Sequence, residues 1–248
     1  MVRLALIYGV SLLIVLLAAG YTYQRIGMQN DRPGYKPVGK LVDVIGDRMH
    51  IYSDGQGEST VVFIAGWGTA NPYVDFYPLY DKIAGQVRFA VVDNFGYGFS
   101  DLTDRDRDID RIVEEMHEGL KQAGERPPYI MVGHSLGALA SIRFAQQYPD
   151  DVKGIVLLDG GSPEYYAEQA PLTFISHLQR ALIRFGIARG LYQFRGFAES
   201  LASERNALKR LPEKLKALDR TATLLIGNNR NVTDEMRRSR DKAEAVAR

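Results

Sequence analysis

The chain contains no cysteine. Disulfides, thiol nucleophiles and thiolate metal sites are thereby excluded, while the redox compartment is left open. Histidine is scarce, four in 248 residues, and no two stand in the H-E-x-x-H spacing of a helical zinc site. No metal and no cofactor is expected. Charge of one sign is not in excess either. The formal net charge is +1, and binding to nucleic acid calls for a strongly basic face, so no nucleic-acid partner is expected. Internal repeats and low-complexity tracts are missing. What is there is an ordinary balance of apolar and charged residues, in a length that suits one α/β domain with a sizeable core.

The long hydrophobic run lies at the N-terminus. Between Arg3 and Arg25 no residue is charged, and residues 4–24 are mostly Leu, Ile, Val and Ala. As a helix rising about 1.5 Å per residue, the run reaches about 30 Å, the thickness of a bilayer's hydrocarbon core. Tyr21 and Tyr23 stand where an interfacial aromatic belt would. The run has no polar face, which speaks against a buried soluble helix. Residues 1–25 are therefore expected to be a single-pass anchor, in contact with the membrane through residues 4–24. The rival is a signal segment and a secreted product: Arg3 supplies the early positive charge, and Ala18-Ala19-Gly20 a small-residue cleavage site. Arg3 precedes the run, whereas Arg25, Arg32, Lys36 and Lys40 follow it, so orientation stays open. Residues 26–38, with Gly27, Pro33, Gly34 and Pro37, read as a linker.

Beyond the linker the pattern alternates. Residues 40–45 and 49–53 are short strand-like runs joined at Gly46-Asp47, a hairpin signature. TVVFIA (60–65), RFAVVD (88–93), YIMV (129–132) and GIVLLD (154–159) are continuous apolar runs, as strands buried on both faces require. A helical pattern at 110–124, with acidic residues near its start and Gly124 at its end, is the clearest of those between them. Strands alternating with helices imply a parallel sheet with right-handed crossovers, whose chemistry gathers at the strands' carboxyl ends.

At one such end stands Gly133-His134-Ser135-Leu136-Gly137, a G-x-S-x-G match. The apolar run YIMV enters it and a helical stretch, 136–148, leaves it. A strand-to-helix turn this tight strains the serine backbone, and glycines on either side let the chains pass closely. The serine is then presented above the sheet at a helix N-terminus, where developing negative charge is favoured. The alternative is a Gly-rich turn with an incidental serine. An oxyanion hole needs two backbone N–H groups near that serine. Leu136 supplies one candidate and Trp67, in Gly66-Trp67-Gly68-Thr69 after TVVFIA, the other.

The run Asp93-Asn94-Phe95-Gly96-Tyr97-Gly98-Phe99-Ser100 (D-x-x-G-x-G-x-S), together with AGWG, GHSLG and LLDGG, resembles the α/β-hydrolase superfamily over residues 39–165. It looks most like bacterial esterase or lipase-like members with an N-terminal hydrophobic segment. The resemblance implies an α/β fold: a mostly parallel sheet flanked by helices, with a helical cap. It divides the chain into a hydrolase core, 39–163, and a helical cap region, 164–248. It makes Asp93 structural. Asp159, ending the strand after the elbow helix, is either the triad acid or a turn-forming residue before Gly160-Gly161-Ser162.

Triad order in this fold runs Ser, acid, His, and only His177 follows Ser135. It falls in an Arg-rich helical stretch, 171–189, rather than after a strand. His134 is the variable residue of the elbow, His50 reads as a packed strand residue and His117 as a surface or groove residue of an amphipathic helix. In the tail, Leu211, Leu215, Leu218, Ala222 and Leu225 form a helical stripe, with Pro212 in its first turn and Gly227 at its end. Asn231 or Thr233 then opens a second helix running to Arg248. A competing reading makes TLLIG (223–227) a strand followed by Asp234 as the acid. On the helical reading, the last two sheet strands and the histidine loop are expected to be missing.

Two functions follow. One is a serine hydrolase of carboxylic esters or related acyl compounds, with Ser135 as nucleophile, Trp67 and Leu136 as oxyanion donors, and Asp159 and His177 completing the site. The other is a membrane-tethered, hydrolase-like binding protein or gene fragment without a working histidine. Dehalogenase chemistry is disfavoured, because it places a carboxylate at the elbow. Aromatic residues at 73–80, with Phe174, Phe185, Phe194 and Phe197, suit either core or an apolar pocket.

Overall fold

Six of the apolar runs become strands in a computed structural model, which describes residues 1–194, 196 and 210–248. They are β1 (Lys40–Val44), β2 (Asp47–Asp54), β3 (Thr60–Ile64), β4 (Arg88–Asp93), β5 (Tyr129–His134) and β6 (Val152–Leu158). They join one sheet in the order β1-β2-β4-β3-β5-β6. β1, β2 and β4 pair antiparallel, and β4, β3, β5 and β6 run parallel. Every residue of β3 and β4 is buried or half-buried, because helices cover both faces of this part of the sheet. Each fully buried Val, Ile or Phe there contributes about 1.5–3 kcal/mol through removal of apolar surface from water.

The β1–β2 hairpin turns on Ile45 and Gly46, with φ of 55° and 84°. Two successive left-handed residues match the twist of the flanking strands, but a β-branched residue is strained there. An Ile45→Asn variant is expected to be more stable by about 1 kcal/mol, since Asn tolerates the left-handed region. Ile45 is 62% exposed and leaves little packing behind. The midpoint of urea unfolding in mild detergent checks this; an unchanged or lower midpoint at the same m-value would sink it.

Helices fill the connections: α1 (Val2–Asp31), α2 (Pro72–Asp75), α3 (Tyr77–Ile83), α4 (Ile109–Gln122) and α5 (Gly137–Gln147). α4 starts where Asp108 accepts a hydrogen bond from Arg111 N, and it buries Ile109, Ile112, Val113, Met116 and Leu120. That spacing is one face of a 3.6-residue period. These side chains join α5 and one sheet face in one core; Phe63, Phe76, Tyr80, Phe89 and Val91 build the other beneath α2 and α3. The aromatic stretch at 73–80 therefore contributes core.

After β6 come α6 (Pro163–Glu168), α7 (Thr173–Arg184), α8 (Ile187–Leu191), α9 (Glu213–Ile226), α10 (Arg230–Arg237) and α11 (Ser239–Val246). Residues 223–226 lie inside α9, so the strand reading of TLLIG is overturned: the leucine stripe packs as a helix face. The left-handed residue after α9 is Asn228, φ 48°, while Gly227 keeps negative φ. The second tail helix begins earlier than expected and in two pieces, with Asn229 as the cap of α10. The division at 163/164 also changes. Ala243 and Val246 are buried in the core, and Arg143 and Gln146 of α5 donate to the carbonyls of Ala245 and Val246 at 3.2 and 2.8 Å. Thus α11 belongs with the helical layer of the sheet rather than with a cap. β6 forms the sheet edge, with Ile155, Val156 and Leu157 exposed.

α1 is long and apolar enough to cross a membrane, a property it shares with a signal sequence. It continues as helix to Asp31, so residues 26–31 are not linker. The reason is packing. Gln24 is buried and donates to Leu224 O of α9 at 2.7 Å, and it accepts from Arg189 Nε at 2.8 Å. Arg189 also pairs with Asp31 at 2.8 Å. Gly20 and Gly27 lack the Cβ that would collide with Phe185 O and the Arg189 guanidinium. The end of α1 is thereby bound to α7, α8 and α9.

Candidate active site

Ser135 stands at the junction of β5 and α5, where the chain must reverse within two residues. Its φ is 49°, a left-handed conformation that costs a non-glycine residue about 1–3 kcal/mol and persists only where the surroundings impose it. They do so through close packing. A Cβ on Gly133 would lie 2.6 Å from Gly137 O, one on Gly137 2.6 Å from Ile64 O, and one on Gly66 2.8 Å from Ser135 Cβ. Ser135 N donates to Leu158 O at 3.1 Å, tying the elbow to the end of β6. The result is a half-buried serine at the first turn of α5, next to exposed His134.

Leu136 is buried directly after the elbow. Trp67 packs against the core and donates its indole N–H to Val232 O at 3.1 Å, which fastens the Gly66–Gly68 loop to α10. Neither the Leu136 nor the Trp67 backbone N–H has an acceptor among the described residues. Leu136 directly follows Ser135, and Gly66, next to Trp67, is packed against the Ser135 side chain.

Asp159 follows β6 with φ 48° and is exposed. His177 projects from α7 and is exposed as well. No hydrogen bond joins either of them to Ser135 or to the other. The polar side chain that does approach is Tyr166 of α6, its hydroxyl 3.4 Å from Ser135 Oγ. Sequence reasoning missed it, because Tyr165-Tyr166 after Ser162-Pro163 carries no motif. Only the packing of α6 on α11 brings it over the elbow.

His50 and His117 are engaged elsewhere. His50 Nδ1 lies 2.8 Å from Asp93 Oδ2, and its Nε2 2.8 Å from Val38 O, with both side chains fully buried. Burial alone would lower its pKa, but the Asp93 charge, its hydrogen bond and the Val38 carbonyl raise it overall. Asp93 Oδ2 also accepts from Phe99 N at 2.9 Å, and Gly98, φ 51°, leaves it the room. Asp93 thus joins β2, through His50, to the loop after β4, through Phe99 N. His117 pairs with Asp151 at 2.9 Å and stacks on Tyr148. Beside the Gly66–Gly68 loop, Tyr97 is buried and donates to Glu235 Oε2 at 2.7 Å. Burial, then the Glu235 charge, pushes its phenol well above the ordinary value, and the Gly68 N–H works the other way. No three potential metal ligands cluster among the described residues.

Residues 61–243 match the family model described as "Alpha/beta hydrolase family". The Bacillus subtilis protein YbdG is 35% identical over 63% of this chain and 48% of its own length. The pimeloyl-[acyl-carrier protein] methyl ester esterase of Shewanella woodyi is 32% identical over 49% of this chain and 43% of its own. The chain thus spans about half the length of the curated relatives it matches. Among solved structures, Cfl2 of Burkholderia cenocepacia superposes with a TM-score of 0.62 at 18% identity, covering 83% of this chain and 72% of that one. A Bacillus megaterium epoxide hydrolase gives 0.56 at 18% identity, over 80% and 71%. At such identity these two speak for the fold alone. The elbow geometry, the strand order and a family model matching most of the sheet agree: this chain belongs to the alpha/beta hydrolase family.

Proposed function

We propose that the chain is a serine hydrolase of carboxylic esters or related acyl compounds, with Ser135 as nucleophile. The observation that carries this is the strained, half-buried Ser135 at the turn between β5 and α5, with the Gly66 loop packed against it. In the reaction, Ser135 Oγ attacks the acyl carbon as its proton passes to His177. The C–O bond to the alcohol breaks and the alcohol leaves with that proton, and water then hydrolyses the acyl-serine. The carbonyl oxygen takes up negative charge and is held by the N–H groups of Leu136 and Trp67, assisted by the N-terminal end of α5. Removal of one such donor costs about 100- to 1,000-fold in rate in other hydrolases. Tyr166 holds the hydroxyl in place through its own hydroxyl, 3.4 Å away. Asp159 and His177 are the acid and base by chain order, and no hydrogen bond joins either of them to Ser135 in this structure. The Shewanella woodyi relative carries an esterase's name, in line with an ester substrate. We read α1 as a membrane anchor rather than a cleaved signal, since Gly20, at the small-residue site, is packed against Phe185.

A second reading, a hydrolase-like binding protein, is favoured by the lack of a hydrogen bond between His177 and Ser135. A fluorophosphonate probe decides between them. Labelling of the full chain that disappears in Ser135→Ala and falls sharply in His177→Ala is expected for the hydrolase. A folded, unlabelled chain reduces the site to a binding pocket, because triad members act as a unit and loss of the base removes most of the activation.

A further inference from the structure

Away from Ser135, an open cavity of about 480 Å³ lies between the end of α1 and helices α7 and α9. Arg25 of α1, Arg180 and Arg184 of α7, and Arg230 of α10 all line it. Arg230 is paired with Asp104 at 2.7 Å. Arg25, Arg180 and Arg184 have no carboxylate partner among the described residues, and Arg184 merely lies over the Tyr21 ring. Three guanidinium groups around one cavity, none paired with a carboxylate of the described residues, repel one another, so the arrangement favours an anion. The planar fork of arginine matches the oxygens of a phosphate bidentately. Met28, Ile183 and Leu224 supply an apolar part of the lining, beside Gln24 and Asn229. An anion attached to a hydrocarbon chain satisfies both parts.

The position of the cavity gives the source of that ligand. Its α1 wall begins at Tyr21, where the apolar segment ends, so on the reading of α1 as an anchor the cavity sits at headgroup depth. On α7, Phe174 and Leu178 stand one turn apart and are 77% and 48% exposed. Exposed apolar residues and arginines on one helix are the composition of a segment lying in the interface plane. We propose that this cavity binds the phosphate headgroup of an anionic membrane lipid, with the arginines on the phosphate, the apolar wall along the upper acyl chain and α7 seated in the interface.

The test uses the full chain purified in detergent and native mass spectrometry, with phosphatidylglycerol and phosphatidylcholine offered in turn. One phosphatidylglycerol retained in preference to phosphatidylcholine is expected. An Arg180→Gln/Arg184→Gln variant should retain it at least about tenfold less, as loss of two charge-assisted contacts implies. Both positions are exposed, so the variant is expected to fold, and circular dichroism verifies this. Equal retention of both lipids, or an unaltered preference in the variant, overturns the proposal. Displacement of the lipid by millimolar inorganic phosphate also overturns it, in favour of a soluble anion. Alkaline carbonate extraction of membranes tests the anchor separately. Release of the full chain into the supernatant refutes the anchor, and selective lipid retention in detergent would still establish the cavity's preference.

Discussion

A His50→Leu variant is expected to lose about 3–5 kcal/mol of unfolding free energy, the cost of leaving one member of a fully buried pair without its partner. His50 and Asp93 are both inaccessible, 2.8 Å apart, and Asp93 Oδ1 already has no partner. Removing the imidazole also releases Val38 O, which the ring holds at 2.8 Å, so the segment entering β1 loses its tie to the sheet. The pair has a pH signature of defined sign. The folded-state pKa of His50 lies above the ordinary value, raised by Asp93 against the effect of burial. The folded protein therefore binds more protons than the unfolded chain between the two values. The stabilisation is complete below about pH 6.5 and is lost as pH rises through the folded value. Chemical unfolding measured from about pH 6 to 9 should show this decline in the wild type, and a His50→Gln variant should lack it. A wild-type profile without that decline would show that His50 is neutral in the fold.

The second large effect is expected at Glu235. Its carboxylate accepts from Tyr97 at 2.7 Å and lies 3.1 Å from Lys242 Nζ, in ion-pair range but not aligned for a hydrogen bond. Lys242 is almost fully buried. Burial lowers its pKa and Glu235 counteracts this. Glu235→Leu leaves a buried ammonium and a buried phenol unpaired, and a loss of about 3–5 kcal/mol is expected. The double variant Glu235→Leu/Lys242→Met should recover most of it, since apolar replacement of both partners is often neutral or better. The sign with pH is opposite to that of His50. With Glu235 gone, the folded lysine titrates further below its unfolded value of about 10.4, so the variant gains stability as pH rises between the two. A double variant no more stable than the single one would show that Glu235 acts through Tyr97 instead. A Tyr97→Phe change would then be expected to account for most of the loss by itself.

The parts of this protein that were legible in its sequence are those specified by neighbouring residues. Strand runs, the hairpin at Gly46, the elbow around Ser135 and the leucine stripe of α9 each follow from side-chain period or from turn stereochemistry. The glycines of the elbow could be assigned a purpose because a tight βα turn always needs close backbone approach. The Asp93 motif belonged to the same category, but its partner did not: His50 stands 43 residues away, and a lone histidine in a strand carries no mark of what it will face.

By itself, then, the sequence determined the membrane-length helix, the order of strands and helices, and the placing of a serine on a strained turn, since all of these are local properties of a chain with fixed periods and allowed dihedral angles. Tertiary structure alone decided that the Tyr166 hydroxyl comes within 3.4 Å of Ser135 Oγ, and that α11 returns to the core. It alone docked α1 onto the cap through Gln24 and Leu224, 200 residues apart, and gathered arginines from three helices around one cavity. Such contacts depend on how separate segments pack, and no pattern within any one segment records the surface it will meet.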